Sequence, residues 1–223
     1  MPSITRRRSG GSDRRLPVEA QILAATERLL AEGESFTELG VQRIAREAGV
    51  ARSTFYMHFA DKTELLLRLA ESFTGVAFGI AREWEPAQEG PPAGGSVGLD
   101  ALAAGFREIL AVYRQHSGVL AAITEVSGYE PVIRRFWRAR LDQFLVRTAQ
   151  VLEEEKRAGR VPAEVDIAAA SRLIVLGGER FLADHVATDD GSGDEAAARE
   201  LAETWWYGVY RRPAGPETPV DRP

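Results

Sequence analysis

A chain of 223 residues, 44% hydrophobic and 27% charged, has the make-up of a globular protein with room for one well-buried domain and a small second one. It has no cysteine, which excludes disulfides and thiolate metal sites, and its three histidines (His58, His116, His185) are too far apart in sequence to suggest a zinc site. The net charge of −5 is unevenly spread: residues 1–62 carry +2 and the remainder −7, a basic front on an acidic body that suits DNA binding at one end.

Residues 1–16 have little to bury and a local charge of +4, which reads as a flexible basic arm able to approach DNA phosphates. No apolar run follows it as in a signal peptide, and none nears the roughly 18 residues that span a bilayer, so a soluble, cytoplasmic protein without a membrane partner is expected. Pro17 fits a first helical position, and Ile22, Ala25, Leu29 and Leu30 share one helix face until Gly33 ends it. A second short helix is predicted over 41–48, with Val41, Ile44, Ala45 and Ala48 inward, and Gly49 breaks it. A third covers 52–59. The fourth starts after Asp61 and repeats Leu66, Leu69, Phe73, Val76, Ile80 and Trp84 at three- and four-residue steps. At about 1.5 Å per residue it makes a rod of roughly 34 Å. Residues 86–98 form a Pro/Gly loop, and helical patterns return at 99–116, 119–127, 131–158, 166–188 and 195–211.

The informative segment is VQRIAREAGVARSTFYMHFADK, residues 41–62. Two short helices joined at Gly49 make a helix-turn-helix, because glycine takes the left-handed turn conformation without a Cβ penalty. Val50 and Phe55 point into a three-helix core, which leaves Arg52, Ser53, Thr54, Tyr56, Met57 and His58 on the outside of the second helix. Arg52, Ser53 and Thr54, at its N-terminal end, are placed to read base edges. Tyr56 and His58 are better placed for backbone phosphates. Lys62, in the first turn of the next helix, is expected to clasp a phosphate together with that helix's amides. Met57 reads equally well as packing filler.

This segment resembles the TetR family of transcriptional regulators. Phe55, Tyr56, His58, Phe59 and Lys62 fall in register with the family's motif, and AREAGVARSTFY supplies the preceding turn; the resemblance covers about residues 20–70. Two positions depart from it. Relatives usually carry Ser or Thr just before the second helix, where Gly40 stands here, and Ala51 replaces a frequent capping serine. The hydroxyl–phosphate contact is lost at Gly40, and Gln42 and Arg43 are the nearest substitutes. From FYMHF through GGERF to TWWYGVY the chain is also similar to the ethionamide-resistance-regulator branch of that family.

The resemblance implies a ligand-binding, dimerising body. Apolar stripes over 99–116 and 131–158, rich in aromatics with polar tips, suggest a cavity lined by Phe106, Leu110, Tyr113, Trp137, Leu141, Phe144, Thr148, Val175, Glu179 and Trp205. Glu179 and Arg180 lie in an apolar-flanked helix and must be paired, exposed or turned towards a polar ligand group. Asp166 is a sound N-cap for the 166–188 helix. The last two helices are apolar on most sides and need cover on two faces, and Gly177–Gly178 permits a close approach. A homodimer through these two helices follows, placing two heads on a palindromic operator with half-sites about one turn, roughly 34–36 Å, apart.

The expected fold is all-α with about nine helices: an arm at 1–16, a helix-turn-helix domain with three helices at 17–77, a ligand-binding and dimerisation domain at 78–211, and a disordered tail at 212–223. The main functional reading is a repressor released from double-stranded DNA by a small apolar effector, with no cofactor, no metal and no enzymatic activity. Two alternatives stay open: a dimeric regulator without an inducer, and an enzyme or carrier built on a helical bundle. Against the latter, no Cys/His pair, nucleophile elbow or phosphate loop is present.

Overall fold

The computed structural model describes residues 17–83 and 96–210. The basic arm, Trp84, most of the 86–98 loop and the 212–223 tail lie outside the described residues, as do the side chains of Val76 and Ile80. Among the described residues the chain forms nine helices and no strand. They are α1 (Val18–Ala31), α2 (Val41–Glu47), α3 (Arg52–His58), α4 (Lys62–Glu83), α5 (Ser96–Gln115), α6 (Ser117–Ser127), α7 (Pro131–Arg157), α8 (Ile167–Thr188) and α9 (Asp194–Tyr210). Helix α5 begins at Ser96, inside the segment expected to be loop, and Pro17 is the N-cap of α1 (φ −50°, ψ 146°) rather than its first helical residue. Among the described residues, no helix is long and apolar enough to cross a membrane.

Local chemistry sets the head. Ile22, Ala25, Leu29 and Leu30 bury one face of α1, and Thr26 enters the core by returning its hydroxyl to the Ile22 carbonyl at 2.8 Å. Gly49 takes φ +69° between α2 and α3, and the Val50 amide closes the turn on the Ala45 carbonyl at 2.9 Å. Phe55 and Phe59 lie fully inside, beside Ile44, Leu65 and Leu66. Asp61 starts α4 by accepting from the Glu64 amide, and Glu64 accepts in return from the Ala60 amide, a reciprocal cap.

Head and body share one apolar core, which runs without a break from Ile22 to Ala202. Phe73 of α4 joins them. Its ring packs edge-on against Tyr113 of α5 and parallel to Trp137 of α7, at 5.2 and 6.1 Å between centroids, and lies 5.7 Å from His116. Helix α4 is continuous through residues 77 and 78, so the expected boundary falls inside a rigid rod. In the body α5 packs along α9 and α7 along α8. A smaller cluster around Leu152, Val161, Ile167 and Val209 closes the far end.

A second joint links α6 to the head. His116 Nδ1 lies 3.4 Å from Glu27, Ser35 donates to Glu125 at 3.0 Å, and the Thr37 and Tyr129 hydroxyls meet at 2.6 Å. Here α6 lies so close to α1 that a Cβ on Gly118 would fall 2.7 Å from the Leu30 carbonyl carbon. Alanine normally favours a helix over glycine by about 1 kcal/mol, but backbone cannot yield as a side chain can. Gly118→Ala should therefore lower stability, by roughly 1–3 kcal/mol in denaturant unfolding, instead of raising it.

Candidate nucleic-acid interface and internal cavity

Burial of Phe55 fixes the rotation of α3 and turns its polar face outward. Arg52, Ser53, Tyr56 and His58 are exposed, and Thr54 is half-buried. Arg52 folds back along its own helix, 3.4 Å from the Tyr56 hydroxyl and over the Tyr56 ring at 5.6 Å. The two side chains therefore share one surface patch. Met57 is 81% exposed, so it is not packing filler and belongs to the presented face.

On α2, Gln42 is exposed, whereas Arg43 is held by two acids, Glu47 at 2.9 Å and Glu34 at 3.0 Å. The hydrogen bond from Arg43 keeps the Glu47 carboxyl below the usual carboxylate range. A phosphate at Arg43 would have to displace these partners. Gly40 and Ala51 cap α2 and α3 through backbone conformation only, without side-chain hydrogen bonds.

Lys62 departs from its expected orientation. Its ammonium turns back into the loop before α2 and donates to the carbonyls of Phe36, Leu39 and Thr37 at 2.7, 2.8 and 3.1 Å, above the Phe36 ring. An ammonium has three N–H donors, and these carbonyls use all three. Burial pushes its pKa down, and Glu125 partly opposes this. The side chain ties the α1–α2 loop to the start of α4.

In the body, α5, α7, α8 and α9 enclose a narrow cavity of about 40 Å³. Phe106, Tyr113, Leu141, Phe144, Val175, Glu179 and Trp205 line it, seven of the expected ten. Leu110 is absent because it lies about 100° round the helix from Ile109 and is fully buried in the main core. Thr148 is buried one turn beyond Phe144, and Trp137 stacks on Phe73 and reaches the site only by bonding Glu179. Ile109, Ile174, Gly178 and Leu182 also line the cavity. Ile109, Gly178 and Leu182 lie three or four residues from an expected lining residue on their own helices, a spacing that could have flagged them; Ile174 does not.

Glu179 is the charged member of the lining. Its partner is the Trp137 indole and not a basic side chain from a neighbouring helix, and burial raises its pKa above the ordinary glutamate value. Trp205 Nε1 is buried and has no hydrogen-bond partner. On the outer face of α8 and α9 runs a groove of about 560 Å³ that shares Ile174, Gly178 and Trp205 with the cavity. Leu173 (77%), Phe181 and Tyr207 are exposed on these two helices.

Folding also brings His185, Asp189 and Asp194 together, their ligand atoms within 4.8 Å of one another. Arg114 compensates this charge, donating twice to Asp194 (2.5 and 2.9 Å) and once to the Asp189 carbonyl at 2.7 Å. The cluster staples α5 to the α8–α9 turn.

An outward-facing α3 on a three-helix core, carried by an all-helical body, defines a helix-turn-helix DNA-binding regulator. Residues 22–69 match the pattern of bacterial regulatory proteins of the tetR family, and residues 102–211 match the C-terminal domain of the transcriptional regulator EthR. The chain belongs to the TetR family, with a body of the EthR type. It is 28% identical to the HTH-type transcriptional regulator EthR of Mycolicibacterium smegmatis over 207 residues, 91% of this chain and 89% of the relative. Its fold is similar to that of Salmonella enterica GusR, with a TM-score of 0.68 at 18% identity over 90% of this chain and 99% of that one. It is likewise similar to Bacillus subtilis FadR in complex with stearoyl-CoA, with a TM-score of 0.65 at 19% identity over 85% and 98%.

Replacing Lys62 by methionine, which keeps the length of the side chain, strands three carbonyls. Lys62→Met should reduce stability by roughly 1–3 kcal/mol without any DNA present, read by thermal or denaturant unfolding.

Proposed function

We propose that this TetR-family regulator is a repressor that grips a palindromic operator as a homodimer and lets go when a small molecule enters its body. The observation that carries the DNA reading is the burial of Phe55, which turns the polar face of α3 to solvent. Arg52, Ser53 and Thr54 read base edges, Tyr56 and His58 hold phosphates, and Gln42 extends the contact from α2. Arg43 joins only by exchanging an acid for a phosphate. Lys62 acts by fixing the loop before α2, a role favoured by its three carbonyl partners.

A dimer through α8 and α9 is supported by the apolar groove on their outer face and by Leu173, Phe181 and Tyr207 beside it. Gly177 has open space where a Cβ would stand, which admits a second helix, whereas Gly178 faces Leu201 and Trp205 of its own chain. The occupant is a second copy, related by two-fold symmetry.

The path from cavity to head is short. Tyr113 lines the cavity and Trp137 bonds Glu179, and both rings pack on Phe73 of α4. A ligand that parts α5 from α7 shifts Phe73 and, with it, the rod that carries the head. Release requires the ligand to prefer the shifted state. FadR in complex with stearoyl-CoA shows a small molecule bound by that protein, which supports an effector site in this fold. The opposing observation is volume: about 40 Å³ is little more than the roughly 30 Å³ share of one water, which favours the reading without an inducer unless the walls part.

Band shifts on DNA upstream of the protein's own gene test the head. Tyr56→Ala should weaken binding to every operator sequence, and Arg52→Ala should also relax base preference, at a cost of roughly 1–3 kcal/mol. Unchanged binding by both variants overturns these roles. Leu173→Asp should convert a dimer to monomers in sedimentation and abolish the two-headed complex; a dimer that persists overturns the proposed interface.

A further inference from the structure

The lining of the internal cavity has a chemical bias. Four aromatic residues, Phe106, Tyr113, Phe144 and Trp205, line it together with one carboxylate, Glu179, and no lysine, arginine or histidine is among its lining residues. The face of an aromatic ring is electron-rich and attracts cations, and a set of such rings beside a carboxylate is the surroundings that an ammonium group favours. A carboxylate in the same place would oppose the charge of Glu179. We propose that the effector is an organic cation, an apolar molecule whose ammonium group sits against Glu179 inside this aromatic cage. The inference rests on reading the cavity as the effector site.

Glu179 can use such a ligand. A carboxylate accepts about four hydrogen bonds, and the Trp137 indole supplies one of them. Arg180, next in sequence, is exposed; its charge lowers the Glu179 pKa, but as the smallest of three influences, after burial and the Trp137 bond. A bound ammonium compensates the half-buried carboxylate, whose affinity for a proton is already increased by burial. The unpartnered Trp205 Nε1 adds a second demand, an oxygen acceptor on the apolar part of the ligand. Trp205 also stands, with Ile174 and Gly178, between the cavity and the outer groove, and its ring is the largest side chain of that wall.

Calorimetric titration of the full-length protein with alkylammonium ions from butyl to octyl, and with the alcohols of the same lengths, tests this at neutral pH. At the best chain length the ammonium should bind at least tenfold tighter than its alcohol. Glu179→Gln should erase that preference while the alcohol still binds. Phe144→Leu, which removes one ring but keeps the site apolar, should reduce it severalfold, and this second variant decides the matter if the first does not fold. An alcohol that binds as tightly as its ammonium overturns the cation inference and leaves the effector cavity standing. So does a preference that survives both substitutions. Failure of every member of both series to bind overturns the cavity reading and the inference together.

Discussion

The joint between head and body is built around the buried Phe73. Its ring, fully excluded from water, is held between Tyr113, His116 and Trp137, side chains from α5, the α5–α6 junction and α7. Close-packed rings of this kind transmit displacement because no void absorbs it. The same residue lies on the helix that begins beside the recognition helix. In the proposed mechanism α4, pinned at Phe73, is the rigid element that both sites bias.

The head is held by polar contacts as much as by its core. Lys62 gathers three carbonyls of the loop before α2, while Ser35, Thr37 and Glu27 of the head reach Glu125, Tyr129 and His116 of the body. These contacts compensate for weak helix starts, since neither Gly40 nor Ala51 provides a side-chain cap. With glycine and alanine in those places, helix entry depends on turn geometry and on the tether. The orientation of α2 and α3 against the body thus belongs to the tertiary structure and not to the two short helices themselves.

Helix α8 faces two ways. Its inner side gives Val175, Glu179 and Leu182 to the cavity, its outer side presents Leu173 and Phe181, and Ile174, Gly178 and Trp205 of α9 border both spaces. The two spaces are thus separated by a single layer of side chains. At Gly178 a Cβ would stand in ordinary contact with Leu201 and Trp205 of α9, at 3.7 Å.

The sequence by itself determined the helical class, the nine helices of the described residues to within a few residues, and the helix-turn-helix segment. Those signals are local: apolar residues three and four apart, Gly33 and Gly49 at helix ends, and Phe55–Tyr56 with His58–Phe59 in register. It placed the start of α5 three residues late, because glycine and serine there read as loop; in the fold Gly98 lies close against the Trp206 ring of α9. Tertiary structure alone decided the partners. Lys62 turned to carbonyls more than twenty residues upstream, Arg43 was taken by Glu34 and Glu47, and Glu179 found Trp137 on another helix. It also decided which stripe residues face the cavity, excluding Leu110 and admitting Ile109. Periodicity gives each helix an inward face to about one residue's rotation, but the angle at which four helices meet selects the side chains that converge, and that angle comes only from packing.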